Sequence, residues 1–267
     1  MKYFFCFGYP KSGTTYLQML LESHPELSCP AEHKLYVLFD GLAKLFTNYN
    51  DELIKMNKRM SKKDLVLFKD EDIDTLVKFV IELTLKRGGQ GKSAKLHGLK
   101  DNFIILKYPS LFINLFPKEK FIMIVRDPRN VGVSLWHRKL VLNDNMLIDK
   151  VNNIDEYTIK VVDKWANKIK NMKQIINKKP KSFFICRYEN LNINNDELKN
   201  IFKFLKVSSE NEIVAKLLNL NSFEKFEDKK FFRKGFSTNW NEELKPATNK
   251  KIIEKHGKLM EEYGYLN

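Results

Sequence analysis

A chain of 267 residues is long enough for one sizeable domain with its own core, and 43% hydrophobic and 12% aromatic content exclude a disordered polymer. Its 47 basic against 33 acidic residues leave a net charge of +14, which suits an anionic partner. No run approaches the ~18 apolar residues of a membrane span, and three scattered cysteines (Cys6, Cys29, Cys186) exclude a disulfide framework and predict a reducing, cytoplasmic location. Residues 3–7 read as a buried strand, 8–13 as a turn-rich loop, and from Thr14 the apolar spacing of Leu17, Leu20 and Leu21 is helical until His24-Pro25. A polar loop follows to residue 33. Residues 34–47 are expected to be helical, 48–72 to hold one or two short helices, and 71–86 to form a helix ending at Gly88-Gly89. The small, basic stretch 88–98 predicts a mobile loop. Further strands are expected at 103–106, 121–125 and 183–186, and helices at 131–142, 156–177, 196–207, 212–220 and 247–263, with an Asn- and Asp-rich loop at 143–155. This alternation predicts a single α/β domain over 1–267, a mainly parallel sheet flanked by helices, with ligands beyond the carboxyl ends of the strands.

Strand, glycine loop and helix in that order form the setting in which backbone N–H groups and a helix N-terminus converge on an anion. Gly8 and Gly13 keep the spacing of the nucleotide-triphosphatase loop, G-x-x-x-x-G-K-[ST], but Thr14 stands at the lysine position and the lysine, Lys11, lies inside the loop. A lysine there reaches the side of a phosphate chain, near a bridging oxygen. Three of the four expected strands end near a cation, at Lys11, Lys107 and Arg126, which points to one site. Arg126 and Ser134 are eight residues apart across a strand end and a helix start, and a guanidinium with a hydroxyl suits a dianionic phosphate. The alternative for Arg126 is a structural pair with Asp127 or a helix end. If both positions hold phosphate, the ligand is not a nucleoside triphosphate, which needs one phosphate chain and a metal. A kinase would want the loop lysine and a carboxylate for Mg²⁺, so no metal is expected.

Tyr9-Pro10-Lys11-Ser12-Gly13-Thr14-Thr15 resembles the 5′-phosphosulfate loop of sulfotransferases that use 3′-phosphoadenosine 5′-phosphosulfate (PAPS). Arg126 and Ser134 match that family's 3′-phosphate block, and Phe232-Arg233-Lys234-Gly235, followed by Trp240, resembles the run that closes over the same phosphate. The resemblance implies that Lys11, Ser12, Gly13, Thr14 and Thr15 hold the 5′ end, that Arg126, Ser134, Arg233, Lys234 and Gly235 hold the 3′-phosphate, and that Tyr16, Tyr188 and Phe223 contact adenine. It implies in-line transfer of a sulfuryl group to an acceptor hydroxyl with release of adenosine 3′,5′-bisphosphate (PAP). Lys11 would stabilise the bridging oxygen, and Lys107 would bear on the sulfuryl oxygens.

The cytosolic small-molecule enzymes carry a catalytic histidine two residues after the lysine equivalent to Lys107, and here that residue is Pro109. The tyrosylprotein sulfotransferases instead use a loop glutamate, and the gap of twenty-one residues from Lys11 to Glu32 is the same as theirs. Glu32 is therefore the expected general base, with His33 next and His97 behind it. The loop preceding Arg233 is much shorter than in the cytosolic small-molecule enzymes, which disfavours steroid- or phenol-type acceptors, and family breadth implies a saccharide, a lipid-linked glycan or another bulky alcohol. Two other classes stay open: a metal-dependent P-loop kinase, and a non-enzymatic nucleotide- or nucleic-acid-binding protein. The sequence has no arginine-rich stripe or aromatic-basic repeat, so nucleic acid is not the expected partner.

Overall fold

Phe4, Phe5, Cys6 and Phe7 are fully buried because β1 (Tyr3–Gly8) runs through the middle of a sheet covered on both faces. The computed structural model describes residues 2–30, 34–60, 65–142, 151, 153–193, 195–222 and 240–266. After α1 (Thr14–Ser23) come β2 (Leu27–Ser28), α2 (Leu35–Arg59), α3 (Asp70–Gly88) and β3 (Leu96–Lys100). Short helices α4 (Ile104–Lys107) and α5 (Pro109–Leu115) lead to β4 (Lys120–Val125), α6 (Pro128–Leu142), α7 (Ile154–Lys178) and β5 (Phe183–Arg187). The chain continues through α8 (Tyr188–Ile193), α9 (Asn195–Leu205), α10 (Asn211–Leu220), α11 (Trp240–Glu243) and α12 (Pro246–Glu262).

The five strands lie in the order β2-β3-β1-β4-β5, and every pairing is parallel. Side chains alternate between two apolar layers. Phe5, Phe7, Phe121 and Met123 face α3, α7 and α12, where Trp165 is the largest fully buried side chain. Phe4, Cys6, Ile122 and Ile124 face α1, α9 and α10. The expected α/β architecture is the observed one, and the helices α3, α6 and α7 fall where the apolar spacing puts them, whereas α2 runs on past the expected end at residue 47 to Arg59 as one helix.

Two strands differ from expectation: the two-residue β2 falls within the stretch read as a polar loop, and the second expected strand is displaced. Residues 103–106 do not form the second strand; they lie in and around the short helix α4, while β3 occupies the end of the stretch read as a mobile loop. Gly98 explains the disguise. A Cβ there would sit 2.2 Å from the ring of Phe4, so the neighbouring strand's aromatic demands a glycine in mid-strand. Asp101 then ends the strand, and its Oδ1 accepts hydrogen bonds from the backbone N–H groups of Phe103 (2.9 Å) and Ile104 (2.8 Å), which starts a helical turn. α2, which buries only Leu35 and Phe39, forms an outlying arm beside α3, and its Asn50 and Asn57 hydrogen-bond to the backbone of Phe68 and Leu65 in the link that leads into α3. Among the described residues no helix is long and apolar enough to cross a membrane.

Candidate active site

The loop between β1 and α1 is shaped by its backbone. Ser12 N–H donates to the Tyr9 carbonyl at 3.0 Å, and both Lys11 (φ 67°) and Gly13 (φ 89°) adopt left-handed backbone. Gly13 is required twice over, since a Cβ would also meet the Tyr188 ring at 2.1 Å. At Gly8 a Cβ would stand 2.5 Å from the Ile124 carbonyl of β4, so the loop leaves the sheet tight against its neighbour. No side chain caps α1 and no acidic residue lies in its first turn, which leaves the positive end of the helix to a ligand. Thr14 is held by Asn102, whose Nδ2 donates to its Oγ1 at 3.0 Å.

Arg126, at the end of β4, reaches this loop: its Nη1 donates to the Lys11 carbonyl at 3.1 Å, and its guanidinium lies 4.5 Å from the centre of the Tyr188 ring. The structural alternative for this arginine falls to its neighbour. Arg129, not Arg126, forms the buried pair with Asp127 (2.7 Å), donates to the Tyr265 carbonyl and stacks on Trp240 at 3.9 Å. Ser134 stands two turns along α6, half-buried. Burial, and then the charges of Arg138 and Arg126, lower the Lys11 pKa to about 8. Arg138 was not expected from the sequence, although it lies one turn beyond Ser134 on the same helical face. Ser12 Oγ and Arg126 Nε are buried without a hydrogen-bond partner among the described residues. Buried donors left unmatched beside an open helix end fit a bound oxyanion.

Tyr16 and Tyr188 lie together beneath the loop, 4% and 5% exposed, and burial followed by the nearby Tyr188 pushes the Tyr16 phenol up to about 12. Both are packed into the layer on the α1 face of the sheet. The strand shift moves the third cation. Lys107 does not follow a strand; it ends α4 on the surface, with Nζ 3.4 Å from Asp40 of α2. The residue that does end β3 is Lys100, buried, level with Cys6 of β1, and close enough to bear on the charge of the Cys29 thiol. Its signal in the sequence, a lysine followed by a helix-starting aspartate, was hidden by the misplaced strand. His97 is removed from the site, since it pairs with Tyr3 at the opposite end of β1, roughly 16 Å along the strand from Gly8. Glu32, His33, Phe223, Arg233, Lys234 and Gly235 lie outside the described residues.

Beside the loop opens a cavity of about 340 Å³ whose walls include Tyr9, Tyr36, Phe103, Leu106, Lys107 and Lys168. Tyr36 of α2 and Phe103 face each other with ring centres 5.8 Å apart. Among the described residues no three His, Cys, Asp or Glu side chains are gathered closely enough to hold a metal ion.

A parallel sheet whose central strand ends in a glycine loop, with two cationic positions meeting over it, defines a P-loop-type α/β anion-binding protein. The model of the sulfotransferase family matches residues 4–211, and the chain belongs to that family. It is 29% identical to human protein-tyrosine sulfotransferase 1 over 143 residues, 53% of this chain and 36% of that protein. To the Drosophila melanogaster protein-tyrosine sulfotransferase it is 26% identical over 209 residues, 78% of this chain and 38% of that one. The matched stretch thus spans little more than a third of these relatives. Mouse sulfotransferase SULT7A1 complexed with PAP shares the fold at a TM-score of 0.61 and 17% identity, covering 99% of this chain and 88% of that one. The sulfotransferase domain from the curacin biosynthetic pathway does so at 0.57 and 18% identity, covering 96% and 97%.

Proposed function

We propose that the chain is one sulfotransferase domain that transfers a sulfuryl group from PAPS to an acceptor hydroxyl and releases PAP. The observation that carries this reading is the 3.1 Å hydrogen bond from Arg126 Nη1 to the Lys11 carbonyl, which brings the two anion positions together over one strand edge. A ligand with a charged group at each end of one adenosine matches that arrangement. PAPS supplies the sulfuryl group; the chain's residues hold and move charge around it. Ser12, Thr14, Thr15 and the loop amides hold the 5′ end, while Arg126, Ser134 and Arg138 bind the 3′-phosphate, joined by Arg233, Lys234 and Gly235. Tyr16, Tyr188 and Phe223 border the base. The nearby PAP-bound structural relative and the family membership support this choice of nucleotide.

Glu32 takes the proton from the acceptor hydroxyl, His33 being its nearest substitute. Lys11 hydrogen-bonds the bridging oxygen as the bond from sulfur to that oxygen breaks and the bond from sulfur to the acceptor forms. Lys100 takes over the role expected of Lys107, because it is the cation that ends the strand beside β1. The residue two beyond it is Asn102, which is again not a histidine. The acceptor enters the cavity between Tyr9, Tyr36 and Phe103, whose aromatic faces suit a sugar ring, and three free cysteines support a reducing, cytoplasmic setting.

Calorimetry with PAP and transfer from ³⁵S-labelled PAPS into a glycan pool test the reading. Chelator-insensitive PAP binding and label in the acceptor are expected, with Glu32→Gln losing about 10²-fold in kcat while keeping PAP affinity. Mg²⁺-dependent ATP turnover without PAP binding would instead make the chain a kinase.

A further inference from the structure

The acceptor cavity has a charge pattern that the transfer chemistry does not use. Lys107 and Lys168 stand in its wall on separate elements, α4 and α7. Lys168 Nζ donates to the neutral Leu106 carbonyl at 3.1 Å, and among the described residues no carboxylate forms an ion pair with it. Lys107 Nζ has a carboxylate near it, but from α2 across the cavity mouth: Asp40 Oδ1 at 3.4 Å. Both partners of that pair are more than half exposed, so it is a weak contact that an incoming group can displace. Asp40 is one turn along α2 from Tyr36, which is itself in the cavity wall.

From this we infer that Lys107 and Lys168 read an anionic group on the acceptor, the carboxylate of a uronic-acid-bearing saccharide, and that Asp40 occupies Lys107 until that acceptor arrives. The inference rests on the sulfotransferase reading above and deepens it. Two ammonium groups on separate elements, beside aromatic faces that cover a sugar ring, recognise a ring with a carboxylate better than a neutral one. Both lysines act on specificity, not on the transfer itself. Asp40 and the lysines therefore have opposite effects, which a purely structural role does not produce.

The test compares two acceptor pools with ³⁵S-labelled PAPS: uronate-bearing tetrasaccharides, and the same tetrasaccharides with the carboxyls reduced to alcohols. The expected result is a preference of about tenfold in kcat/KM for the uronate pool. In the Lys107→Gln, Lys168→Gln double variant the ratio of the two rates should fall toward one. In Asp40→Asn that ratio should rise about two- to threefold, chiefly through a lower KM. PAP binding, measured alongside, separates the two layers of the argument. A protein that binds PAP yet sulfates neither pool, or turns over an acidic tyrosine peptide instead, overturns the saccharide inference. So does a double variant that slows both pools equally, or an Asp40→Asn that lowers the ratio. Failure to bind PAP overturns the donor reading itself.

Discussion

Helix α1 buries Thr14, Tyr16, Leu17, Gln18, Leu20 and Leu21 within ten residues, whereas α2 buries Leu35 and Phe39 within twenty-five. The two helices pack in different layers, α1 with Phe4 and Cys6 of β1, and Leu35 and Phe39 of α2 with Phe5 and Phe7 on the other face; the first carries the proposed nucleotide side and the second the proposed acceptor side. The first is wedged between the sheet and α10, with Asn221 donating to Ser23 at its end. The second leans outward, with Leu38, Leu45 and Tyr49 about half exposed. A phosphate cradle works only if its amides are fixed before the ligand comes, so burial is spent there. An acceptor surface has to accommodate a partner, and elements with few buried apolar contacts open at low cost. The contrast therefore separates a preorganised half from an adaptable one.

The hardest blow to the rigid half is loss of its loop lysine. Lys11→Met should lower kcat by about 10³-fold, as removal of an oxyanion-stabilising donor does, while PAP affinity changes far less. Single-turnover transfer against calorimetric PAP binding separates the two. Next in size is Arg126→Ala, which should weaken PAP binding by about 10²-fold while costing only about 1 kcal/mol of stability, since what the fold loses is one hydrogen bond to the Lys11 carbonyl and the contact with the Tyr188 ring. Arg129→Ala, three residues on, should do the reverse. It strands Asp127 in a buried site and costs about 3 kcal/mol of stability by urea unfolding, leaving the phosphate contacts in place. Equal effects of the two arginines on binding would erase the division between them.

The lowered Lys11 pKa gives a subtler reading of the same half. Its folded value is about 8 against an ordinary 10.5. Between those values the unfolded chain binds the proton more tightly than the folded one, so stability rises with pH across that window. An anion bound at the loop favours charged Lys11 and restores its proton. PAP binding near pH 8.5 should therefore take up a fraction of a proton, seen as a dependence of the calorimetric heat on the buffer's ionisation enthalpy. In Lys11→Met that dependence should shrink.

The rigid half was also the legible one. Strand, loop and helix follow one another within residues 3–23, so the local order of glycines and apolar residues is itself the site. Arg126 and Ser134 could be read for the same reason, as a strand end and a helix face close in the chain. Lys100 could not. Gly98 is in β3 because of Phe4, more than ninety residues away, and a local reading takes a glycine at the end of a small, basic stretch for a loop. Lys168 left no trace at all, since only the packing of α7 against the sheet brings it to Leu106. The length of α2 was likewise hidden, because its second half has the charge density of a loop. Apolar spacing encodes which face is buried, but it does not encode what a distant strand demands of one position.

The smallest predicted effects belong to the arm, and they sharpen the comparison most. Leu45 is 60% exposed in α2, so Leu45→Lys should change stability by no more than about 0.5 kcal/mol. Phe7→Ala, at the strand end that launches the loop, removes a fully buried ring and should cost about 3–5 kcal/mol. Amide exchange extends the test to backbone. Residues 40–59 of α2 should exchange far faster than residues 16–22 of α1, because opening the arm exposes little apolar surface while opening α1 breaks the layer it shares with β1 and β4. If the two helices exchange at the same rate, opening is global, and the acceptor side has no freedom that the nucleotide side lacks. The weak Lys107–Asp40 contact would then be a fixed part of the wall, since α2 could not move away from α4 without unfolding the sheet.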